Sequence, residues 1–367
     1  MTRSKRPNGE GSLFYSDTLK TWVAEIVLPD GTTKRKKNKL QRVVRTWLET
    51  EKEALRRGTW VSTEAVLYGD FLDRYLKEVA IHSLRPKTKE TYNYSINKYI
   101  RPALGKMRIT AIRPDHLSSL YAGILESGRS KHTVRYVHRI IRMTLSVALK
   151  WGLVGRNVAD AVTPPTPAVN EITPLTVDEV KRLLKVLEND RLYAFYALIC
   201  TTGLRKGEAL AIQKSSLNLD AGTIIVRHSL SQINGVGLIL GEPKSIKSRR
   251  ELAIPAFTVK VLRNHLANHP NSSNYVFATS NNTPFSPRNI LRHFKIKLAE
   301  AGLPTTTRIH DLRHSFISWL IQSGQDIKTI QAVAGHSQAS MTLSVYGHLM
   351  PGAMRSAADK VEKMFEG

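Results

Sequence analysis

The sequence predicts a multidomain protein, mainly α-helical with small β-sheets (α+β), and three observations carry that prediction. At 367 residues the chain exceeds what one hydrophobic core usually holds. Apolar spacing is helical along most of it and alternates in only two stretches. Pro164, Pro165 and Pro167 crowd one short connector, which favours a stiff extended link over helix or central strand. The implied layout is 1–58, 64–163, a linker at 164–171, and 172–367.

The first unit opens with β-prone runs at 13–15, 22–28 and 32–36, the last two separated by the turn signal Pro29-Asp30-Gly31. From 40 to 57, Val43, Val44, Trp47, Leu48, Ala54 and Leu55 recur at helical spacing, giving a three-stranded sheet backed by one helix. The second unit reads as helices at 68–78, 88–100, 114–126 and 131–151. Pro114 suits a first helical turn and Ser130 suits an N-cap. In the third unit, Thr176-Val177-Asp178-Glu179 has the capping-box pattern and opens a helix through Leu187. Helical runs follow at 192–200 and 206–213. Strands are expected at 223–230, 237–240 and 251–254, with Asn234-Gly235 marking a hairpin. The chain closes on helices at 258–267, 287–301, 312–322, 327–334 and 354–365.

A net charge of +25 draws polyanions and argues for nucleic acid over a neutral metabolite. The purely basic run Lys34, Arg35, Lys36, Lys37 adjoins Tyr15 and Trp22 and is expected on DNA. Arg129, Lys131, Arg135 and Arg139 lie at and along the 131–151 helix and are assigned to phosphates as well. Neither a P-loop nor a dinucleotide glycine fingerprint occurs, so no ATP or NAD site is expected. With Cys200 as the single cysteine there is no internal disulfide and no cysteine-ligated zinc. The polar N-terminus lacks a secretory core, and no apolar run is long enough to span a bilayer. A soluble, cytoplasmic, nucleoid-associated protein is expected.

Four strings carry chemistry: Thr202-Gly203-Leu204-Arg205-Lys206-Gly207-Glu208, His310-Asp311-Leu312-Arg313-His314, Gly335-His336-Ser337 and Tyr346-Gly347-His348. A guanidinium is a planar fork that matches two phosphate oxygens and stays charged at any workable pH. Arg205 lies between two glycines that allow close backbone approach, with Glu208 as its local partner. His310 and Arg313, three apart on a helix, project from one face. A metal pair at His310 and His314 is disfavoured, with Leu312-Arg313 filling the gap between them.

As an ordered set on a basic chain, these strings resemble the tyrosine recombinases, the family of phage integrases and chromosome-dimer resolvases. Ala334 is a departure, since the family more often has leucine before Gly-His. The resemblance implies an N-terminal arm-site domain at 1–58, a helical core-site domain at 64–163 and a mixed α/β catalytic domain at 172–367. It implies that Tyr346 attacks the scissile phosphate, leaving a 3′-phosphotyrosyl enzyme and a 5′-hydroxyl, with no ATP or metal needed. Arg205 and Arg313 would clamp the nonbridging oxygens, His310 would act as general base, and His336 would hydrogen-bond the phosphate. The general-acid lysine of the family sits on a turn between strands. Lys244 fits its Lys-Ser pattern, Lys247 is the alternative, and Arg249 and Arg250 are assigned to backbone phosphates. The implied partners are double-stranded DNA at core and arm sites, a homotetramer on that DNA, and a DNA-bending helper and excisionase. Rival readings are a type IB topoisomerase, a Xer-type resolvase, which normally lacks a segment like 2–57, and a catalytically silent DNA-binding protein.

Overall fold

The computed structural model describes residues 10–28, 31–57, 65–168, 173–242 and 249–335, with 361, 362 and 365 beyond them. The chain divides into two compact units, Met1–Val169 and Asn170–Gly367. The expected helix at 354–365 lies outside the described residues apart from those last three.

The first unit begins with the antiparallel sheet β1 (Ser12–Ser16), β2 (Thr21–Val27) and β3 (Thr33–Asn38), in that order, followed by α1 (Gln41–Arg56). Ala24 and Ile26 on one face of β2 meet Val44 and Leu48 of α1 in a small core, with Trp22 and Trp47 packed against it. Pairing sets Lys36 opposite Ala24 and Lys34 opposite Ile26, while Lys37 faces Val23 and Arg35 faces Glu25. Because side chains alternate along a strand, the basic run divides between the two faces of the sheet.

Helices α2 (Tyr68–Arg74), α3 (Ala80–Ser83), α4 (Pro86–Ser95), α5 (Arg101–Leu104), α6 (Pro114–Glu126) and α7 (Lys131–Lys150) follow. Two helices run longer than their sequence periods suggest. π-helical turns at Tyr75–Val79 and Ile96–Ile100 join α2 to α3 and α4 to α5, and each shifts the apolar stripe out of a 3.6-residue period. Pro86 starts α4 two residues before the expected position, at a turn where a proline costs no hydrogen bond. On α7, Val134, Val137, Ile141, Thr144, Leu145 and Ala148 form the buried stripe, and Ser130 caps its start by accepting from the Thr133 N–H. This core is separate from that of the sheet module.

The second unit contains α8 (Val177–Val186), α9 (Tyr193–Thr202) and α10 (Lys206–Leu210), then β4 (Leu217–Asn218), β5 (Thr223–Val226), β6 (Ser229–Ile233), β7 (Gly237–Gly241) and β8 (Arg250–Ala253). Helices α11 (Ala256–Asn268), α12 (Pro287–Glu300), α13 (Ile309–Gln322) and α14 (Ile327–Ala334) complete it. The capping box at α8 is present: the Thr176 hydroxyl accepts from the Glu179 N–H at 3.2 Å, and the Glu179 carboxylate accepts from the Thr176 N–H at 2.8 Å. The run expected as one strand at 223–230 is two strands in different sheets. β5 pairs with β4 and β8, and β6 pairs with β7 across the expected hairpin. Ile224, Val226 and Leu230 stay in one alternating phase across the break, so periodicity does not reveal the change of partner.

Candidate active site

Helix α9 is buried along nearly its whole length and ends at Gly203, whose φ of 63° is left-handed. A Cβ there would stand 2.4 Å from the Phe316 ring, so only glycine fits. Gly207, in the first turn of α10, is required for a different reason: a Cβ would come within 2.7 Å of the Leu230 carbonyl. Between them Arg205 occupies the N-cap of α10, its side chain about one-third exposed. Its Nη1 donates to Glu208 Oε1 at 2.8 Å and its main-chain N–H donates to Oε2 at 3.0 Å.

Glu208 is buried, and Arg250 from the start of β8 donates to its Oε2 at 3.1 Å. Burial opposes ionisation of this carboxyl, but Arg250 and then Arg205 outweigh it and hold its pKa below the ordinary value. The same two arginines reach the end of α14. Arg250 Nε donates to the Val333 carbonyl at 2.9 Å and Arg205 Nη2 to the Gly335 carbonyl at 3.4 Å. The carbonyl between them, Ala334, accepts from Arg313 Nη2. Three consecutive carbonyls that the helix leaves unpaired thus meet guanidiniums from α13, β8 and the turn before α10.

Helix α13 starts at Ile309, one turn before the apolar period suggests, because Arg308 and Asp311 close a reciprocal cap ahead of it. That places His310 in the first turn. Arg313, one turn on, is 1% exposed and donates from Nη1 to the Gly203 carbonyl at 2.6 Å. It therefore ties the approach to Arg205 to the turn that leads into His336. The His310 and His314 rings meet edge to face at 4.6 Å. His310 keeps an exposed edge, yet protein atoms crowd the ring. That desolvation, then His314, Arg313 and Arg205, push its pKa down to about 4, leaving the imidazole neutral at pH 7. Asp311 is engaged by Arg308, and among the described residues no cluster suited to a metal occurs.

Gly335 ends α14 in the left-handed conformation, φ 60°, as the Gly-His string requires. His336, Tyr346, Lys244 and Lys247 lie outside the described residues.

The basic residues assigned to DNA separate into two groups. Arg129, Lys131, Arg135 and Arg139 are exposed, the last three along α7, and Arg135 and Arg139 border a groove of about 470 Å³. Lys36 and Lys37 are exposed as well, and exposed Arg35 pairs with Glu25. Lys34, on the same sheet face as Lys36, differs in pairing with Glu51 of α1 at 2.9 Å. Arg249 is exposed beside Glu242. Arg250 differs from Arg249: its side chain is 7% exposed and bonded to Glu208.

The profile of the phage integrase family matches residues 174–352, and that of the phage integrase N-terminal SAM-like domain matches 67–124. The ICEBs1 integrase of Bacillus subtilis is 25% identical over 376 residues, covering 99% of this chain and 100% of its own. A XerC-like tyrosine recombinase of Caldanaerobacter subterraneus is also 25% identical, over 85% of this chain and 86% of its own. Among solved structures, the Tn1549 transposon integrase in complex with transposon right end DNA gives a TM-score of 0.72 at 20% identity, covering 81% of this chain and 100% of that one. A lambda integrase dimer bound to a COC′ core site gives 0.60 at 18% identity, covering 94% and 96%.

The chain belongs to the phage integrase family of tyrosine recombinases. It is an enzyme of DNA cleavage and rejoining. The larger match spans every residue named above from Arg205 to Tyr346. Among the described residues no helix is long and apolar enough to cross a membrane. Sequence reasoning missed the pairing of Arg250 with Glu208. Its signal was weak: a basic doublet opening a strand, which reads as surface charge until the partner carboxylate is known.

Proposed function

We propose that this integrase breaks DNA by attack of the Tyr346 phenol oxygen on the scissile phosphorus. The bond to the 5′-oxygen is lost, a 3′-phosphotyrosyl bond forms, and Lys244 protonates the departing 5′-oxygen. Arg205 and Arg313 stabilise charge on the nonbridging oxygens. A guanidinium carries five N–H bonds, so carbonyl contacts orient the fork without using all of it. His310, neutral at pH 7, takes the phenolic proton, and His336 hydrogen-bonds the phosphate. The observation that carries this reading is the binding of Arg313 and Arg205 to the adjacent carbonyls of Ala334 and Gly335, which lead directly into His336.

Four protomers on two DNA sites would exchange one strand pair and then the other. A lambda integrase tetramer bound to a Holliday junction, with a TM-score of 0.59 at 19% identity, supports that assembly. The sheet module at 1–58 is assigned to arm sites and the helices at 64–163 to core sites. Near-complete alignment with the ICEBs1 integrase favours integration and excision of a mobile element over Xer-type resolution.

The test is Tyr346→Phe on a nicked suicide duplex, resolved on a denaturing gel. The covalent adduct is expected to vanish while DNA binding persists. An adduct surviving in this variant rules out Tyr346 as nucleophile.

A further inference from the structure

Arg250 has a side chain only 7% exposed and bonds to two elements of the proposed site. Its Nη2 binds Glu208 Oε2 at 3.1 Å and its Nε binds the Val333 carbonyl at 2.9 Å. Gly335 lies against it: a Cβ on that residue would stand 2.8 Å from Arg250 Nη1. Two guanidiniums share one carboxylate, with Arg205 Nη1 on Oε1 at 2.8 Å and Arg250 on Oε2.

We propose that Arg250 is a positioning residue for strand cleavage, engaging Glu208 so that Arg205 keeps its charge for the phosphate, and fixing the turn that leads into His336. This rests on the active-site reading above. The charge count carries the first part. Arg205, Glu208 and Arg250 together bear a net single positive charge, whereas Arg205 and Glu208 alone are neutral. Without Arg250, Glu208 Oε2 keeps the Arg205 main-chain N–H but loses its only opposing guanidinium among the described residues, and the carboxylate is drawn toward the bidentate pair that guanidinium and carboxylate prefer. A phosphate must then displace a buried carboxylate. Geometry carries the second part. Val333, Ala334 and Gly335 are each held by a different arginine, and of these three Arg250 is the one that lies on a strand.

Removing one member of a buried ion cluster also costs stability, so the test uses several variants. Full-length Arg250→Met, Arg250→Lys and Glu208→Gln/Arg250→Met are compared with wild type in single-turnover cleavage of the suicide duplex at saturating protein. DNA affinity and melting are measured alongside. Arg250→Met is expected to slow cleavage about 100-fold at unchanged DNA affinity, the scale of a misplaced catalytic group. Arg250→Lys should recover much of that loss. The double variant, which removes the carboxylate left facing Arg205, should cleave about tenfold faster than Arg250→Met, on the scale of a charge-assisted contact. A purely structural arginine would be rescued in melting by deleting its partner's charge, but not in the single-turnover rate of the folded protein. Folded Arg250→Met cleaving at the wild-type rate, or a double variant no faster than it, overturns the proposal. If Arg250→Met does not fold, the double variant decides: about tenfold below wild type supports the proposal, and the full rate overturns it. Arg205→Ala is run in parallel. Full cleavage there sinks the active-site reading, whereas loss there with full cleavage in Arg250→Met sinks only this one.

Discussion

On α7, Lys131, Arg135 and Arg139 stand exposed along one helix face, whereas near the end of α14 Arg205, Arg250 and Arg313 turn onto carbonyls and a carboxylate. The side chains are nearly the same and the physics is opposite. An exposed guanidinium keeps its hydration and rotamer freedom, and it meets DNA as one charge among many. A buried one has lost its water, so protein acceptors must replace it, and its direction becomes fixed. The first arrangement suits binding that tolerates sequence. The second suits stabilising one phosphate in one geometry, where misplacement is costly.

The largest effects should fall on the inward-facing set and should differ within it. Arg205→Ala and Arg313→Ala are each expected to lower single-turnover cleavage by about 100- to 1,000-fold, the loss seen when one preorganised donor is removed. Melting should separate them. Arg313→Ala leaves the Gly203 and Ala334 carbonyls without this donor, at about 1–3 kcal/mol for each that finds no substitute. Arg205 is about one-third exposed, and Arg250 remains on Glu208 when it is removed, so its variant should melt close to wild type. Equal melting of the two variants would break the contrast between a buried organiser and a presented clamp.

That contrast also marks how far the sequence could be read. Burial on α7 follows helical period, so the exposure of Arg135 and Arg139 was legible beside Val134, Val137 and Ile141. The glycines of the Arg205 string were legible as well, and both prove sterically necessary at Gly203 and Gly207. Long-range pairing was not. Arg250 lies 42 residues from Glu208 and 83 from Val333, and nothing in its local string points to either. The Lys34–Glu51 pair was hidden for the same reason, because Glu51 reaches Lys34 only once α1 packs on the sheet. The break between β5 and β6 and the two π-turns were hidden because apolar spacing reports a face and not a partner.

A smaller effect belongs to the exposed set. Replacing Lys131, Arg135 and Arg139 together with alanine should reduce the log–log salt slope of core-site binding by up to about 2.7, at about 0.9 per phosphate contact on duplex DNA. Cleavage at saturating protein should stay near wild type, because none of these side chains belongs to the arginine cluster. Binding measured from low to high salt supplies the slope. An unchanged slope would mean that this face of α7 is merely solvated, and a large fall in saturated cleavage would mean that it contributes to chemistry.

Acidity sharpens the comparison further, because arginines do not titrate in the working range and a histidine among them does. Crowding and the positive neighbours His314, Arg313 and Arg205 push His310 down to about 4. An ordinary histidine with a pKa of about 6.5 would be only about 3% neutral at pH 5, costing a general base about 30-fold in rate. His310 in the free protein would remain mostly neutral at that pH. The apparent second-order rate constant for cleavage, which reports the free enzyme, should therefore show no His310 limb between pH 7 and 5. A bound phosphate brings negative charge beside the ring and raises its pKa, so the limb in the saturated rate should lie at higher pH than the limb in the second-order constant. Stability follows the same sign. The folded protein binds fewer protons at His310 than the unfolded chain does, so this contribution is complete above about 6.5 and is lost as pH falls toward 4. His310→Gln should remove both the separation of the limbs and that part of the acid sensitivity. If the two limbs coincide in the wild-type protein, or if their separation survives in His310→Gln, the titrating group is not His310 and the arginine cluster does not act through it.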